Sequence, residues 1–347
     1  MIGIQLAEAG LLPDRLVRVG IRRMLRSRLH EVGAGTREQQ RARKAAFLAL
    51  LCRGPIAAVP ERVNQQHYEV APEFFTAVLG SRLKYSSGLW PDGVADLDAS
   101  EERMLALSCE RAGIEDGASV LDLGCGWGSF SLWLAERSPR CRILAVSNSK
   151  PQREFILARA AERGLENLRV QTCDVNAFEP DQRFDRVVSI EMFEHVRNHE
   201  RLLARIAHWL EPDGRLFVHH FCHREHAYAY EDEGANDWMA RHFFTGGIMP
   251  SEDLLLHRQR DLLVDQCWWV GGQHYQQTCE AWLARLDARR DELLPVLERV
   301  YGAGAGRLWL RRWRLFFLAC AELFGWRGGE EWGVAHVRMA PRLEAVR

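Results

Sequence analysis

Short apolar, β-branched runs alternate with helical patterns through the middle of the chain. Five such runs predict strands, at Ser119–Leu123, Arg142–Ser147, Leu168–Thr172, Phe184–Ile190 and Arg215–His219. Between them, apolar positions recur at helical spacing near residues 129–138, 151–163 and 199–210. Strands that alternate with helices form βαβ units, and these build a parallel sheet covered by helices on both faces. The pattern therefore predicts a doubly wound α/β domain.

The alternation of strand and helix breaks after residue 221. An aromatic, histidine-rich and acidic stretch, about residues 221–260, predicts a late insertion on the substrate side of the domain. Two more predicted strands, Leu263–Val270 and Trp332–Met339, and helices near 278–300 and 306–324 follow it. We therefore expect two parts, a helical N-terminal extension and lid over residues 1–100 and the α/β domain over residues 101–347.

The first 60 residues carry an amphipathic and basic pattern. Apolar side chains recur at Val17, Ile21, Met24, Leu25, Leu29 and Val32, and an arginine stripe lies opposite, at Arg15, Arg18, Arg22 and Arg26. Eleven basic against four acidic residues give this stretch a charge of +7. We expect the helix to pack on the α/β domain or on a second copy in a homodimer. A peripheral contact with an anionic membrane and an organelle transit peptide are the alternatives.

The composition excludes several classes of protein. With 47% apolar and 27% charged residues, the chain has the composition of a folded globular protein. Its net charge of −1 argues against nucleic acid as a partner. The nine cysteines include no Cys-x-x-Cys pair, so we expect free thiols in a reducing compartment, the cytoplasm. No apolar run approaches the roughly 18 to 20 residues that span a bilayer, and no secretory signal is visible.

A glycine-rich turn follows the first predicted strand, in the segment Val120-Leu-Asp-Leu-Gly-Cys-Gly-Trp-Gly-Ser129. Gly124 and Gly126 let a backbone approach a ligand closely. The Gly-x-Gly-x-Gly spacing differs from that of dinucleotide-binding loops, and the Asp122 carboxylate would crowd a pyrophosphate. A carboxylate there suits the cationic amino end of S-adenosylmethionine, and the segment resembles the first motif of class I methyltransferases. A plain tight turn between strand and helix is the alternative.

The end of the second strand departs from the common pattern of such enzymes. Many of them place an acid there to hold the ribose hydroxyls, whereas this chain has none. Asn148 and Gln152 can donate and accept hydrogen bonds in its place. Asp174, at the end of the third strand, is placed to meet the adenine amine.

Six separated motifs occur together in one order along the chain. They are Glu61–Val70, Leu83-Lys-Tyr-Ser-Ser87, the glycine loop, Ser189-Ile-Glu-Met-Phe-Glu-His195, Phe217-Val-His-His-Phe-Cys-His223 and Glu330-Glu-Trp332. Together they resemble the cyclopropane-fatty-acid-synthase-like methyltransferases, with the coclaurine N-methyltransferase branch as the closest likeness. The resemblance covers nearly the whole chain and implies a class I, Rossmann-like fold with a mostly parallel seven-stranded sheet.

The resemblance also implies roles for named residues. Tyr85 and Ser86 would reach the methionine end of the cofactor, S-adenosylmethionine. The rest of the cofactor site would be lined by Gly124, Asn148, Gln152, Asp174, Val175 and Ile190. The catalytic carboxylate and histidine positions match Glu191, Glu194 and His195, and His220 would face the reacting centre.

Methyl transfer to nitrogen needs a neutral amine, because a protonated amine has no lone pair to attack with. His195 has an ordinary pKa that suits a general base near neutral pH. Glu191, Glu194 and His195 fall at i, i+3 and i+4, which is one face of a helical turn. Two carboxylates there would attract a cationic substrate and stabilise the imidazolium and the ammonium product. The alternative is that the acids merely cap or solvate the turn after the strand.

Aromatic and histidine residues add two further expectations. Tyr85, Trp90, Tyr228, Phe243 and Phe244 lie in segments that the resemblance places near the substrate, where rings would hold an aromatic amine and its cation. His219, His220, His223 and His226 surround Cys222, but their spacing matches no common zinc pattern, so we expect no metal. Cys320 matches a cysteine near the site of cyclopropane synthases, and we expect it to be a buried core residue rather than a catalytic one.

The sequence predicts an S-adenosylmethionine-dependent N-methyltransferase that acts on a small aromatic or alkaloid-like amine. The main alternative is a cyclopropane synthase or C-methyltransferase that acts on unsaturated acyl chains of phospholipids. Glu191 favours the amine, because cyclopropane synthases usually lack an acid at that position. A non-catalytic cofactor-binding scaffold and a nicotinamide dehydrogenase are weaker alternatives. Neither the exact acceptor nor the oligomeric state can be read from the sequence.

Overall fold

A seven-stranded sheet forms the centre of the protein, in a computed structural model that describes residues 2–57, 70–234 and 237–342. Its strand order is β3-β2-β1-β4-β5-β9-β8. The strands are β1 (Ser119–Leu123), β2 (Arg142–Ser147), β3 (Leu168–Thr172), β4 (Phe184–Ile190), β5 (Leu210–His223), β8 (Leu262–Val270) and β9 (Trp332–Pro341). The first five are parallel, and β9 runs antiparallel to both of its neighbours. The predicted doubly wound, mostly parallel fold is therefore confirmed.

Helices cover both faces of the sheet. They are α1 (Ile2–Glu8), α2 (Asp14–Val32), α3 (Arg37–Leu50), α4 (Pro72–Val78), α5 (Leu97–Ala112), α6 (Ser129–Arg137), α7 (Lys150–Glu162), α8 (His199–Trp209), α9 (Trp238–His242), α10 (Gly272–Ala288), α11 (Arg290–Tyr301) and α12 (Gly306–Phe324). One apolar core lies between the sheet and α5, α6 and α7, and a second packs α8 on the other face. A third core joins α4, α10, α11 and α12 beside the sheet.

Two of the predicted elements differ from the structure. The single helix expected near 278–300 is two helices, α10 and α11, which meet at Arg289. The break lies at Arg289, whose φ of −114° departs from helical values, whereas Pro295 lies inside α11. β5 is also longer than predicted, because its second half pairs with β9 from His219↔His336 to His223↔Trp332.

The N-terminal helix α2 packs on its own chain, as the packing interpretation predicts. Val17 is buried against the third core, with Ile21, Leu25 and Leu29 beside it. Arg18 and Arg22 do not lie on a free polar stripe. Arg18 donates to Glu280 at 2.6 Å and to Glu322 at 2.9 Å, and Arg22 also pairs with Glu322. These ion pairs fasten the basic helix to α10 and α12.

The division into residues 1–100 and 101–347 stays a prediction, and its boundary falls inside α5. The insertion at 221–260 begins within β5. It contains α9 and a two-stranded antiparallel sheet formed by β6 (Tyr228–Ala229) and β7 (Ile248–Met249). Of the first motif, residues 61–69 lie outside the described residues. Within the described ranges, no helix is long and apolar enough to cross a membrane.

Candidate active site

Strand order reverses between β1 and β4, and both strands end at the same edge of the sheet. Ligands of open parallel sheets bind at such a reversal, beyond the carboxyl ends of the strands. Two adjoining cavities open there, one of about 1290 Å³ and one of about 710 Å³. Gly124, Gly126, Gln152 and His195 line both cavities, so the glycine loop lies between the two.

The smaller cavity lies over the ends of β2 and β3. It contains Asn148, Asp174 and Val175, the three residues expected at the ribose and adenine end of the cofactor. The Asp174 carboxylate accepts hydrogen bonds from the Asn176 backbone at 2.7 Å and from its side chain at 3.0 Å. Asn176 in turn accepts from the backbone N–H groups of Ile56 and Ala57, so the N-terminal extension reaches this cavity.

Asp122 lies at the larger cavity, buried beneath the glycine loop. Its carboxylate accepts a hydrogen bond of 2.5 Å from the Ser131 hydroxyl at the start of α6. Burial raises its pKa to about 6, although the Ser131 hydroxyl and backbone oppose the shift. A cationic group beside it would favour the charged carboxylate.

Three buried donor or acceptor atoms around this loop lack a hydrogen-bond partner within the described part of the chain. They are Trp127 Nε1, Ser129 Oγ and Gln152 Nε2, and all three residues line the larger cavity. Buried polar atoms are nearly always paired, so atoms left over at a cavity indicate a polar ligand. Together with the open space beyond the Cα of Gly126, these atoms fit S-adenosylmethionine.

The segment before α5 forms another wall of the larger cavity. Tyr85 and Ser86 line it, as expected for residues at the methionine end of the cofactor. Sequence reasoning missed Lys84, which is 1% exposed and donates to Ser86 Oγ and, at 2.8 Å, to the Ser87 carbonyl. Burial lowers the pKa of Lys84, while the negative charges of Glu191 and Glu101 oppose that shift.

Glu191 follows β4 directly and lines the larger cavity next to Ile190. Three donors from different parts of the chain hold its carboxylate. Tyr275 Oη donates to Oε2 at 2.7 Å, and Ser87 N donates to Oε1 at 3.3 Å. His219 Nε2 lies 3.2 Å from the same Oε1. Burial raises the pKa of Glu191, and the nearby Lys84 cation is the largest influence that lowers it.

The structure separates the three groups expected on one helical face. The turn after Glu191 is a short 3₁₀ helix, Phe193–His195, and it aims Glu194 away from the cavity. Glu194 is fully buried and accepts a 2.7 Å hydrogen bond from Phe221 N. Burial raises its pKa well above the usual range, with the Glu191 charge as the next cause. Glu194 therefore lies behind the site, where burial disfavours its charged form.

His195 and His220 also occupy different places. His195 lines both cavities, and its ring lies 4.7 Å from that of Phe244. His220 is 1% exposed and does not line either cavity, and its Nδ1 lies 3.2 Å from the Phe221 carbonyl. Burial lowers the pKa of His220 to about 4, so its imidazole is neutral at physiological pH.

Aromatic rings line much of the larger cavity, but only part of the set is the predicted one. Tyr85 and Phe244 belong to the lining, whereas Trp90, Tyr228 and Phe243 do not. Sequence reasoning missed eight rings of this lining. Four lie on α10 and α12, namely Tyr275, Trp282, Phe316 and Phe324, and the others are Trp127, Phe130, Phe221 and Tyr230. Cys320 lies on the same α12 face. It is half-buried, packs against the third core as expected and also lines the cavity. Helical spacing on α10 and α12 is the one signal that could have grouped them.

Within the described ranges, no group of three or more His, Cys, Asp and Glu side chains is placed to hold a metal ion. His219 and His220 point to different partners, Glu191 and the Phe221 carbonyl. His223 instead pairs with Glu331 at 3.3 Å.

Comparisons with known proteins identify the family of this chain. A profile of the family described as mycolic acid cyclopropane synthetase matches residues 58–329. The chain belongs to the mycolic acid cyclopropane synthetase family. Within this family, (S)-coclaurine N-methyltransferase of Thalictrum flavum subsp. glaucum is 38% identical over 335 residues, which is 95% of this chain and 92% of that protein. The predicted family resemblance is thus confirmed.

Two further proteins show a higher and a lower sequence identity to this family member. The crystal structure of coclaurine N-methyltransferase bound to N-methylheliamine and SAH has a TM-score of 0.93 and 38% identity, covering 97% of this chain and 98% of that one. Cyclopropane-fatty-acyl-phospholipid synthase of Escherichia coli (strain K12) is 26% identical, covering 80% of this chain and 68% of that protein. The protein is a methyltransferase, and its cofactor is S-adenosylmethionine.

Proposed function

We propose that this enzyme methylates the nitrogen of a small aromatic or alkaloid-like amine. One observation carries the proposal: a carboxylate fixed by three donors, Glu191, borders a cavity lined by ten aromatic rings. An acid there attracts and orients an amine, and the rings hold its flat body and its cation. The relatives named as coclaurine N-methyltransferases support the same substrate class.

The bound cofactor supplies an electrophilic methyl group on a sulfonium. We assign its binding to Tyr85, Ser86, Asp122, Gly124, Gly126, Asn148, Gln152, Asp174, Val175 and Ile190, all of which line one or both cavities. Asp122 would bind the cationic amino group, and Gln152 Nε2 offers an unused donor. The glycines leave room for the backbone to lie against the ligand.

The enzyme's own contribution is to bind, orient and deprotonate the amine. His195, at the junction of the two cavities, would accept the proton of the incoming ammonium as general base. Glu191 would accept a hydrogen bond from the amine and fix the direction of its lone pair. Glu194 and His220 would act from behind, because they support the backbone at Phe221 rather than line the cavity.

The finer statements on partners and location belong to the same proposal. The substrate is a small amine, and no nucleic-acid partner is proposed for a chain of net charge −1. All nine cysteines are free thiols, which supports a reducing compartment such as the cytoplasm. Leu16 and Val19 remain exposed on α2, so a homodimer or a peripheral membrane contact would use that helix.

The test is a transfer assay with methyl-labelled S-adenosylmethionine and purified full-length enzyme. The acceptors are 1-benzyl-1,2,3,4-tetrahydroisoquinoline, cyclohexylamine as the amine without an aromatic ring, and vesicles of dioleoyl phosphatidylglycerol. We expect label in the aromatic amine, little in cyclohexylamine and none in lipid. Label in lipid alone would overturn the proposal in favour of acyl-chain cyclopropanation or C-methylation. Cofactor binding without transfer to any nucleophile would instead indicate a non-catalytic scaffold.

A further inference from the structure

A chain of hydrogen bonds leads from Glu191 through the interior to Arg111, in the last turn of α5. His219 Nε2 lies 3.2 Å from Glu191 Oε1, and His219 Nδ1 lies 2.8 Å from His336 Nε2. His336 Nδ1 lies 2.8 Å from Arg111 Nη1. The two histidines face each other across the β5–β9 pair, and both are fully buried.

The chemistry of arginine fixes the direction of every bond in this chain. A guanidinium only donates, so His336 Nδ1 must accept from Arg111. A neutral His336 then carries its proton on Nε2 and donates to His219 Nδ1. By the same reasoning His219 carries its proton on Nε2 and donates to Glu191 Oε1. The order of the protons is therefore set at Arg111, three links away from the carboxylate.

Both histidines are held neutral by their surroundings. Burial is the largest cause that lowers the pKa of His219 and of His336 well below the usual range. The Arg111 cation adds to the shift at each ring, and Lys84 does so as well. Arg111 itself is half-buried at the end of α5, with its guanidinium carbon 5.0 Å from the centre of the Trp268 ring.

We propose that Arg111, His336 and His219 are positioning residues that hold Glu191 in its ionised, hydrogen-bond-accepting state. This inference rests on the proposed function, in which Glu191 accepts from the amine. None of the three residues lines either cavity, so they act on the substrate only through Glu191. The chain cannot carry a proton out of the site, because arginine does not give one up.

Other charged or titratable groups also influence Glu191. Lys84 favours its charged form, as His220 would if it were protonated, and Tyr275 donates to it. A charge on Glu191 in turn disfavours a charge on Glu194 and on Cys279. None of these is a member of the chain. A substitution of Arg111 therefore leaves them in place, and the difference from the unaltered enzyme reports on the chain alone.

The first test reads the protons directly and needs no turnover. The full-length enzyme is labelled with ¹⁵N-histidine, and the His219 and His336 signals are assigned with His219→Gln and His336→Gln. At pH 7 we expect both rings as neutral Nε2–H tautomers. Arg111→Met should mix the tautomers, whereas Arg111→Lys, which keeps a donor, should preserve them. Nδ1–H at either ring of the unaltered enzyme, or no change in Arg111→Met, would overturn the proposal.

The second test measures the charge on Glu191 with a ligand whose own charge does not titrate. The probe is N,N-dimethyl-1,2,3,4-tetrahydroisoquinolinium, and its Kd is measured by calorimetry from pH 5 to pH 9. Binding should weaken as Glu191 is protonated. Loss of a donor favours the protonated acid, so in Arg111→Met this transition should move up by about one pH unit. The matched control is Arg338→Met, which removes a second cation beside Trp268. Arg338 donates to Asp265 and to the Arg111 backbone carbonyl, and it makes no hydrogen bond to His219 or His336 among the described residues.

The outcomes separate the two proposals. An equal loss of affinity at every pH in Arg111→Met would mean a merely structural role and would overturn the positioning proposal. If the probe does not bind the unaltered enzyme, the result counts against the proposed amine site. The histidine tautomers still test the hydrogen-bond chain from Arg111 to Glu191 independently.

Discussion

Glu191 adopts a left-handed backbone conformation, with φ at 49°, immediately after β4. For a residue other than glycine this costs on the order of 1 kcal/mol, and such residues collect at functional sites. Its N–H donates to the His219 carbonyl at 2.7 Å, which stabilises the turn. This backbone conformation directs the carboxylate toward the strand ends, where it contacts Ser87, His219 and Tyr275.

The residues assigned to the reaction should affect turnover rather than cofactor affinity. In Glu191→Gln and His195→Ala we expect kcat to fall about 100-fold. The first loses the negative charge that attracts and orients the amine, and the second loses the acceptor for its proton. The Kd for S-adenosylmethionine, measured by calorimetry, should stay within about threefold. Glu154→Gln, on the exposed face of α7, is the matched control and should change neither value. Equal losses in both values would mean that the residues only support the fold.

Glu194 provides a separate test, because it lies behind the site. Glu194→Gln keeps the shape and the acceptor for Phe221 N, and its neutral amide matches the neutral carboxyl that burial favours. We expect kcat within about threefold of the unaltered enzyme, and a much larger loss in Glu194→Ala, which leaves Phe221 N unpaired. A large loss in Glu194→Gln would show that the carboxyl group itself takes part in the reaction.

Cofactor binding should depend on pH through Asp122. Burial raises the pKa of Asp122 to about 6 in the cofactor-free enzyme. The protonated, neutral form of Asp122 therefore stabilises the cofactor-free fold at low pH, and this contribution is lost as the pH rises through 6. A bound cationic ligand instead favours the charged form of the Asp122 carboxylate. S-adenosylmethionine should therefore bind about tenfold more weakly at pH 5 than at pH 8, by calorimetry. Asp122→Asn should bind weakly and without this slope, while the exposed Asp181→Asn should behave as the unaltered enzyme.

At the scale of single residues, the glycine-loop motif could be predicted from the sequence, whereas contacts between residues far apart in the sequence could not. Asp122, Gly124 and Gly126 stand within one short segment, so their spacing alone indicates the chemistry. Tyr275 and His336 reach Glu191 and its chain from elements far along the sequence. Nothing in the order of residues reveals such contacts, because they arise only when α10 and β9 pack beside β4 and β5.

Among the elements, the glycine loop permits a sharp test. Gly126 and Gly164 both have positive φ, 53° and 64°, and a Cβ at either would meet nothing within 4 Å. Leucine at either position therefore introduces similar backbone strain, but only at 126 does it enter the cofactor cavity. By calorimetry, Gly126→Leu should abolish S-adenosylmethionine binding, and Gly164→Leu should preserve it. Tight binding to a folded Gly126→Leu variant would contradict the loop assignment.

The ion pairs of α2 give a second element-scale prediction. Arg18 donates to Glu280 and Glu322, and Glu322 is only 6% exposed, so Arg18→Met leaves acidic groups less well paired. We expect a loss of about 1 kcal/mol in the free energy of unfolding and faster hydrogen exchange in α2. The control is Arg23→Met on the exposed face of the same helix. Equal effects of the two substitutions would mean that the Arg18 pairs contribute nothing.

The strands of the parallel sheet could be predicted from the sequence, because the central ones are short, buried apolar runs and the mostly exposed edge strand β3 still follows a helical segment in the βαβ pattern. The bounds of β1, β2, β3 and β4 agree with the prediction. The second half of β5 could not be predicted, because its histidines are polar residues and become buried only through the pairing of β5 with β9. The break between α10 and α11 was equally hidden, because apolar spacing continues across Arg289.

For the whole molecule, the fold class and the cofactor follow from local patterns, whereas the acceptor cavity does not. Its walls combine the segment around Lys84, the insertion and the faces of α10 and α12. Closure of these parts around Glu191 depends on packing between elements that are distant in the sequence. The same packing decides between a compact aromatic amine and an acyl chain, so the substrate class is a property of the whole molecule.

The most direct test is a crystal structure of the enzyme with S-adenosylhomocysteine and 1-benzyl-1,2,3,4-tetrahydroisoquinoline. The quantity to measure is the distance from the amine nitrogen to Glu191 and to His195. We expect the nitrogen within about 3.5 Å of one of them, with its lone pair directed at the cofactor sulfur. A nitrogen more than about 6 Å from both groups, or a sulfur that faces away from Glu191, would contradict the proposed catalytic site.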